Sequence, residues 1–392
     1  LRIVLFYFSE GSIMRKKLLI HNGNISIGGQ EKMLMEFLNI LDSKKYEILL
    51  LIEENNGKRN DYIDRIPKWI DYKFLTTEEF MNKIEKYQSS KNFLEKLYYS
   101  HLLKLKKKIS LKELKKYLNF SDIIIDYDMG LLRNLHKINL QNKKIIGWSH
   151  AGSGELLRKK QKRENVNKYD CIVTINETMK NGYLKNYNNK EVVKIYNFLD
   201  FDLIEKKAEE KLEKDYEKYI ISVGSLTKNK NHKLLINAFK ILKDKYKVSE
   251  KLLIAGEGRE RENLEKQIRE LNLENDVLLL GQKENPYKYI KNSELYILPS
   301  KSEGLPLTLL EAMRLRKMVI CIKNDGTNEV LEDRKYGEFI LENETEKIAE
   351  KINYYLKNRD ERKKYEELGY ERAKEFSKEN GKKIIEEFID RL

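Results

Sequence analysis

Short apolar runs alternate with helical patterns along nearly the whole chain, and this alternation confines the fold to parallel sheets covered by helices. A strand buried on both faces reads as a continuous Val/Ile/Leu run, and parallel neighbours need a helix-sized crossover between them. In the first half the runs are 17–20, 47–52, 122–125, 144–148, 171–175 and 192–196. In the second half they are 219–223, 252–255, 277–280, 295–298, 319–322 and 338–340. Helical patterns intervene, as at 30–41, 231–246 and 259–271. A chain of 392 residues exceeds what one core usually supports, so two successive doubly wound α/β domains are expected. The boundary falls in the charged stretch 197–217, giving domains at 14–198 and 199–374 with a closing segment at 375–392. Met14-Arg15-Lys16-Lys17 reads as a natural start, so residues 1–13 are expected to be an extension.

Composition narrows the class. The two cysteines, Cys171 and Cys321, have no metal-ligand spacing, which argues against structural zinc and fits a reducing compartment. No apolar run approaches the roughly 18 residues of a membrane span. The opening stretch 3–8 is too short for a signal-peptide core. Residues 1–198 hold 37 Lys and Arg against 23 Asp and Glu, whereas the remainder holds 40 of each, so the whole +14 excess lies in the first half. That asymmetry points to an acidic partner for the first domain. An AT-rich genome explains many lysines but not their confinement. Residues 83–118 carry Lys83, Lys86, Lys91, Lys96 and Lys104 over Leu94, Leu97, Tyr98, Leu102, Leu105 and Ile109 at helical spacing. This is either a basic amphipathic helix lying on an anionic membrane surface or a solvated helix packed by its leucines.

Three strand-to-helix turns carry chemistry. Asn22-Gly23-Asn24-Ile25-Ser26-Ile27-Gly28-Gly29-Gln30-Glu31 places a glycine pair where backbone amides can approach a phosphate. Ser222-Val223-Gly224-Ser225-Leu226-Thr227-Lys228-Asn229-Lys230-Asn231 delivers two lysines to the next helix, where ammonium groups neutralise a diphosphate. Ala255-Gly256-Glu257-Gly258 is a tight turn after a strand. In Ser302-Glu303-Gly304-Leu305-Pro306-Leu307-Thr308-Leu309-Leu310-Glu311-Ala312-Met313 two carboxylates stand eight positions apart. On a helix that spacing puts both on one side, the first at the helix mouth. The alternative is an amphipathic helix with one capping and one exposed Glu.

The ordered set Gly28-Gly29-Gln30-Glu31, Ser149-His150, 223–231, 255–258 and 302–313 strongly resembles glycosyltransferase family 4, retaining enzymes of the GT-B fold. The resemblance implies two Rossmann-like domains facing across a cleft, the second holding a nucleotide sugar and the first an acceptor. It further implies a final helix crossing back to the first domain. Glu303 then lies near the transferred sugar and Glu311 near the ribose. Lys230, Gly28 and Gly29 face the diphosphate, and His150 the sugar's reactive end. Ser225, Glu257, Gly258, Gln282, Gly304, Leu305 and Pro306 complete the expected donor site, with Asp128 and His150 toward the acceptor. Catalysis would rest on Glu303, Lys230 and His150 without a metal or other cofactor. Ser225 departs from the family, which often has an arginine there; a hydroxyl brings no charge, and Lys228 is the nearest substitute.

The expected reaction is hexosyl transfer from a nucleotide sugar, with UDP favoured, to a glycan or lipid-linked acceptor of the cell envelope. The expected place is the cytoplasm or the cytoplasmic face of the inner membrane. Asp126-Tyr127-Asp128 offers a rival, since Asp-x-Asp after a strand is the metal signature of the other large glycosyltransferase fold. Two other function classes compete: a nucleotide-sugar epimerase on a similar scaffold, and a basic nucleic-acid binder. The lysine loop and carboxylate pair favour transfer over the former, and no recognisable module supports the latter.

Overall fold

The computed structural model describes residues 15–150, 164–187, 190–341 and 344–392; the expected extension at 1–13 lies outside them. Two compact units divide the chain. Leu1–Thr174, Gly182–Val193 and Glu386–Leu392 form the first, and Ile175–Asn181 with Lys194–Ile385 the second.

The first unit runs β1 (Lys16–Asn22), α1 (Gly29–Ile40), β2 (Tyr46–Ile52), β3 (Asp71–Phe74), α2 (Glu78–Gln88), α3 (Phe93–Tyr117), β4 (Ile123–Asp126), β5 (Lys144–Ser149) and β6 (Cys171–Thr174). The division cuts α4 (Glu177–Asn186), and β7 (Glu191–Lys194) closes the sheet. The strand order is β3-β2-β1-β4-β5-β6-β7. β1 pairs in parallel with β2 on one side and β4 on the other. Leu18, Leu19 and Ile20 are fully buried, as a central strand covered on both faces requires. β3 has no apolar signature: it is an edge strand, and Asp71, Tyr72 and Lys73 are exposed. The end of the last helix belongs to this unit. Lys16 Nζ donates to the Ile389 carbonyl at 2.8 Å, and Tyr46 donates to Asp390 Oδ1 at 2.9 Å.

The lysine-rich segment is a helical pair, α2 and α3, whose contact rests on Met81, Ile84 and Leu102. Within the expected leucine stripe Leu102 alone is buried. Leu114 beyond it is buried too, but Phe93 and Leu94 are each 72% exposed and Leu97 is 54% exposed. Among the described residues no helix is long and apolar enough to cross a membrane.

The second unit contains α5 (Phe201–Ala208), β8 (Tyr219–Val223), α6 (His232–Ile241), β9 (Lys251–Ala255), α7 (Arg261–Glu270), β10 (Val277–Gly281) and α8 (Tyr287–Lys291). It continues with β11 (Leu295–Leu298), α9 (Leu307–Arg314), β12 (Val319–Ile322), α10 (Asp325–Leu331), β13 (Glu338–Ile340), α11 (Thr345–Lys357), α12 (Arg359–Ala373) and most of α13 (Lys378–Asp390). Its sheet, ordered β10-β9-β8-β11-β12-β13, is parallel at every pairing. Alternation along β8 sends Tyr219, Ile221 and Val223 into one apolar cluster and Ile220 into another, so helices cover both faces.

Each sheet has one topological switch point, where successive strands depart to opposite sides: between β1 and β4 in the first unit, and between β8 and β11 in the second. In open α/β sheets the crevice at the carboxyl ends of those two strands is where ligands bind. Of the residues singled out from the sequence, Asp126 and Asp128 lie at the first of these crevices and Lys230 and Glu303 at the second.

Candidate active site

In the second unit the loop after β8 and the loop after β11 are laced together across the switch point. Lys301 donates its amide to the Asn229 carbonyl at 2.9 Å, and Asn229 Nδ2 donates to the Ser302 carbonyl at 2.9 Å. Lys230 Nζ then reaches Glu303 Oε1 at 2.6 Å, a partly buried ion pair with side chains 23% and 11% exposed. The pair is the charged centre of the crevice. Ser225 and Lys228 are exposed on the same loop.

The turn after β9 holds that loop in place. Gly224 donates to the Ala255 carbonyl and Leu226 to the Glu257 carbonyl, at 3.0 and 2.8 Å. Gly256 must be glycine: a Cβ there would lie 2.0 Å from the Gly224 carbonyl oxygen. At Gly258 an added Cβ would lie 2.4 Å from the Leu226 oxygen. Glu257 accepts from Arg261 at 2.6 Å, and Gln282 is exposed just past β10.

The helical-spacing argument for Glu303 and Glu311 does not hold as expected. α9 begins only at Leu307 with Pro306 as its cap, so Glu303 lies on the preceding loop. Proline has no N–H and disfavours helical backbone in the residue before it, which keeps the helix from starting earlier. Glu311 is on α9 and buried, with the Tyr287 hydroxyl 3.5 Å from its Oε1. Leu305 and Pro306 are buried as well. Asn176, which the sequence reading missed, donates to the Gly304 carbonyl at 2.6 Å and fixes the Glu303 loop from behind.

In the first unit Gly28 caps α1 with extended backbone, φ −170°. A Cβ at Gly29 would meet nothing within 4 Å, so neither packing nor φ demands glycine there. The Gly28 cap offers no side chain to the first turn of α1. His150 follows β5 with its ring 4.8 Å from that of Tyr127. Its nitrogens have no side-chain partner among the described residues, and burial holds the imidazole down at about 4, hence neutral at physiological pH.

Asp126 and Asp128 lie at the first switch point with His21, which sequence reasoning also missed. His21 Nδ1 is 3.0 Å from Asp126 Oδ1 and 3.8 Å from Asp128 Oδ1. Burial alone would lower the imidazole, but the hydrogen bond and charge of Asp126, with Asp128 and Glu53 behind, outweigh it and push His21 up to about 9. These three side chains could each offer one ligand atom to a cation. Their oxygens, however, are already engaged: Asp126 by His21, Tyr169 and the Leu131 amide, and Asp128 by the amides of Gly23 and Gly130. The Asp-x-Asp pair is thus part of a hydrogen-bonded network with His21.

Residues 204–372 match the family described as Glycosyl transferases group 1. The chain is 30% identical over 273 residues to an uncharacterized glycosyltransferase of Methanocaldococcus jannaschii, covering 64% of this chain and 68% of that protein. A second uncharacterized glycosyltransferase from the same organism is 32% identical, over 56% of this chain and 63% of its own length. The Campylobacter jejuni N-acetylgalactosamine-N,N'-diacetylbacillosaminyl-diphospho-undecaprenol 4-alpha-N-acetylgalactosaminyltransferase is 37% identical over 47% of this chain. The chain spans about half of that enzyme, 49%. Among solved structures, Anabaena HepE in complex with UDP and glucose superposes with a TM-score of 0.75 at 16% identity, covering 96% of this chain and 100% of HepE. That likeness establishes the GT-B fold. With matched sequence over most of a relative and the family's own segment in the second unit, the chain belongs to the glycosyl transferases group 1.

Proposed function

We propose that this glycosyltransferase is a retaining, metal-independent enzyme that moves a hexosyl group from a UDP-sugar to a glycan or lipid-linked acceptor in envelope polysaccharide synthesis. The observation that carries the reading is the Lys230–Glu303 ion pair in the second switch crevice. A lysine held there by a carboxylate is preorganised to move onto an incoming diphosphate. Charge on the departing UDP is then met by Lys230 and backbone amides in place of a metal. Glu303, freed from its partner, lies beside the position of the sugar. UDP is favoured because HepE was crystallised with UDP and with UDP-glucose. A lipid-linked acceptor is favoured because the Campylobacter relative is named for a diphospho-undecaprenol-linked one.

Titration calorimetry with UDP, GDP and UDP-glucose tests the donor site. UDP is expected to bind with or without EDTA, and Lys230→Ala to bind it about 10- to 100-fold more weakly, the loss of one charge-assisted contact. No heat with any nucleotide would end this reading.

The exposed apolar end of α3 supports a second element of the proposal, an anionic membrane surface at the first unit. Phe93, Leu94 and Leu97 project among Lys91, Lys96 and Lys104, a combination that suits insertion at a headgroup boundary. Cosedimentation with phosphatidylglycerol vesicles is expected. It should drop several-fold in a Phe93→Ser/Leu94→Ser/Leu97→Ser variant and be absent with phosphatidylcholine alone; equal binding to both lipids would refute the idea.

A further inference from the structure

The network around His21 reaches the start of the glycine loop. The parallel register of β1 and β4 sets His21 directly beside Asp126, and both side chains are completely buried. Asp128 is different: its side chain remains 18% exposed, and it is spent on backbone. Oδ2 accepts the Gly23 amide and Oδ1 the Gly130 amide, both at 2.9 Å. The fit is tight: a side chain on either glycine would displace the Asp128 carboxylate. A Cβ on Gly23 would lie 2.6 Å from Asp128 Oδ2, and one on Gly130 would lie 2.8 Å from Oδ1 and 3.0 Å from His21 Cε1. Gly23 is the first residue after β1, and the chain from it leads directly to Gly28, Gly29 and the start of α1.

We propose that His21 is a positioning residue: its buried imidazolium keeps Asp128 an anion against the Gly23 amide, and that hydrogen bond fixes the entry of the glycine loop. The functional consequence rests on the family resemblance, which implies that this loop faces a donor diphosphate. A carboxylate accepts a backbone N–H roughly twice as strongly as a neutral acid does, so the charge on Asp128 decides how firmly the loop is held. Burial, with the Asp126 charge, raises Asp128 to about 6, and the His21 cation opposes that rise. The other titratable groups facing the pair are Asp126 on β4, Glu53 just past β2 and the Tyr169 hydroxyl before β6. Lys106 of α3 is paired with Glu53 and Glu54. Without His21 the two aspartates face each other with no cation between them, and Asp128 takes up its proton closer to neutrality.

Hydrogen exchange of the 22–29 segment, corrected for intrinsic rates, tests this in the full chain from pH 5 to 9. In the wild type, protection of Gly23 is expected to fall as pH drops through about 6. In His21→Gln the fall should move up by about one unit or more, so that at pH 7 the Gly23 amide exchanges on the order of tenfold faster. In Asp128→Asn protection should be low and without a midpoint. A His21→Gln profile that superimposes on the wild type, or is lowered equally at every pH as lost packing would do, overturns the proposal. Should His21→Gln not fold, a wild-type profile flat through pH 6, or a midpoint surviving in Asp128→Asn, overturns it instead. UDP affinity of the same variants separates the two readings. A loosened loop with unchanged affinity leaves His21 in its role and removes the loop from the donor site. An unloosened loop removes the role of His21 whatever UDP does.

Discussion

Glu303→Gln is expected to lower turnover by about 10²- to 10³-fold, the scale on which removing one preorganised electrostatic group acts, while leaving UDP binding as tight or tighter. The two parts come from the same contact. In the free protein Lys230 is held by Glu303 at 2.6 Å, so a diphosphate must take the lysine away from a carboxylate. Glutamine keeps the volume and a polar tip but releases the charge, so Lys230 becomes easier to recruit. What is lost is the anion beside the glycosyl group, which matters only as positive charge develops there. Steady-state kinetics and calorimetry on the same preparation check both halves. Unchanged turnover in a folded variant would remove Glu303 from the mechanism, and weakened UDP binding would mean that the pair does not open to admit the diphosphate.

Gly256→Ala is expected to be the most damaging small substitution in the second unit, costing about 3 kcal/mol or more, read as a large drop in Tm or failure to accumulate folded protein. Alanine is ordinarily a mild replacement for glycine. Here the added methyl would sit 2.0 Å from the Gly224 oxygen and 2.8 Å from its carbonyl carbon, and both are backbone atoms with no rotamer to give. Relief would require parting the turn after β9 from the loop after β8. That breaks the Gly224–Ala255 and Leu226–Glu257 hydrogen bonds and shifts Lys230 with them. Gly29→Ala is the control: its Cβ would meet nothing within 4 Å, and thermal stability should be nearly unchanged. A Gly256→Ala variant as stable as the wild type would show that the loop is not held there.

Much of the architecture was legible because a strand covered on both faces must be apolar throughout. The runs 219–223, 295–298, 319–322 and 338–340 coincide with β8, β11, β12 and β13. β3 was invisible for the converse reason: at the sheet edge, Asp71-Tyr72-Lys73-Phe74 has little to bury and therefore no pattern. The helix expected at 231–246 is regular only to Ile241 and finishes in a π turn over 242–246. The α3 stripe left two readings open because helical spacing shows that residues share a face, not what covers it. Phe93 and Leu94 stand uncovered. At the carboxylate motif, the spacing of Glu303 and Glu311 assumed a helix that Pro306 postpones.

Local sequence determined what each segment becomes: which runs are strands, where glycine lets two backbones meet, and which loops carry lysine or carboxylate. These follow from side-chain volume, φ/ψ freedom and desolvation, all properties of a few adjacent residues. Only the tertiary structure decided which charges meet. His21 and Asp126 lie 105 positions apart and Lys230 and Glu303 lie 73 apart, and nothing in either local pattern names its partner. Strand order makes the choice, because it brings β4 beside β1 and β11 beside β8 at the switch points. Pairing across a parallel sheet is set by the burial of whole strands, so the charged residues at their ends meet as a consequence of that burial.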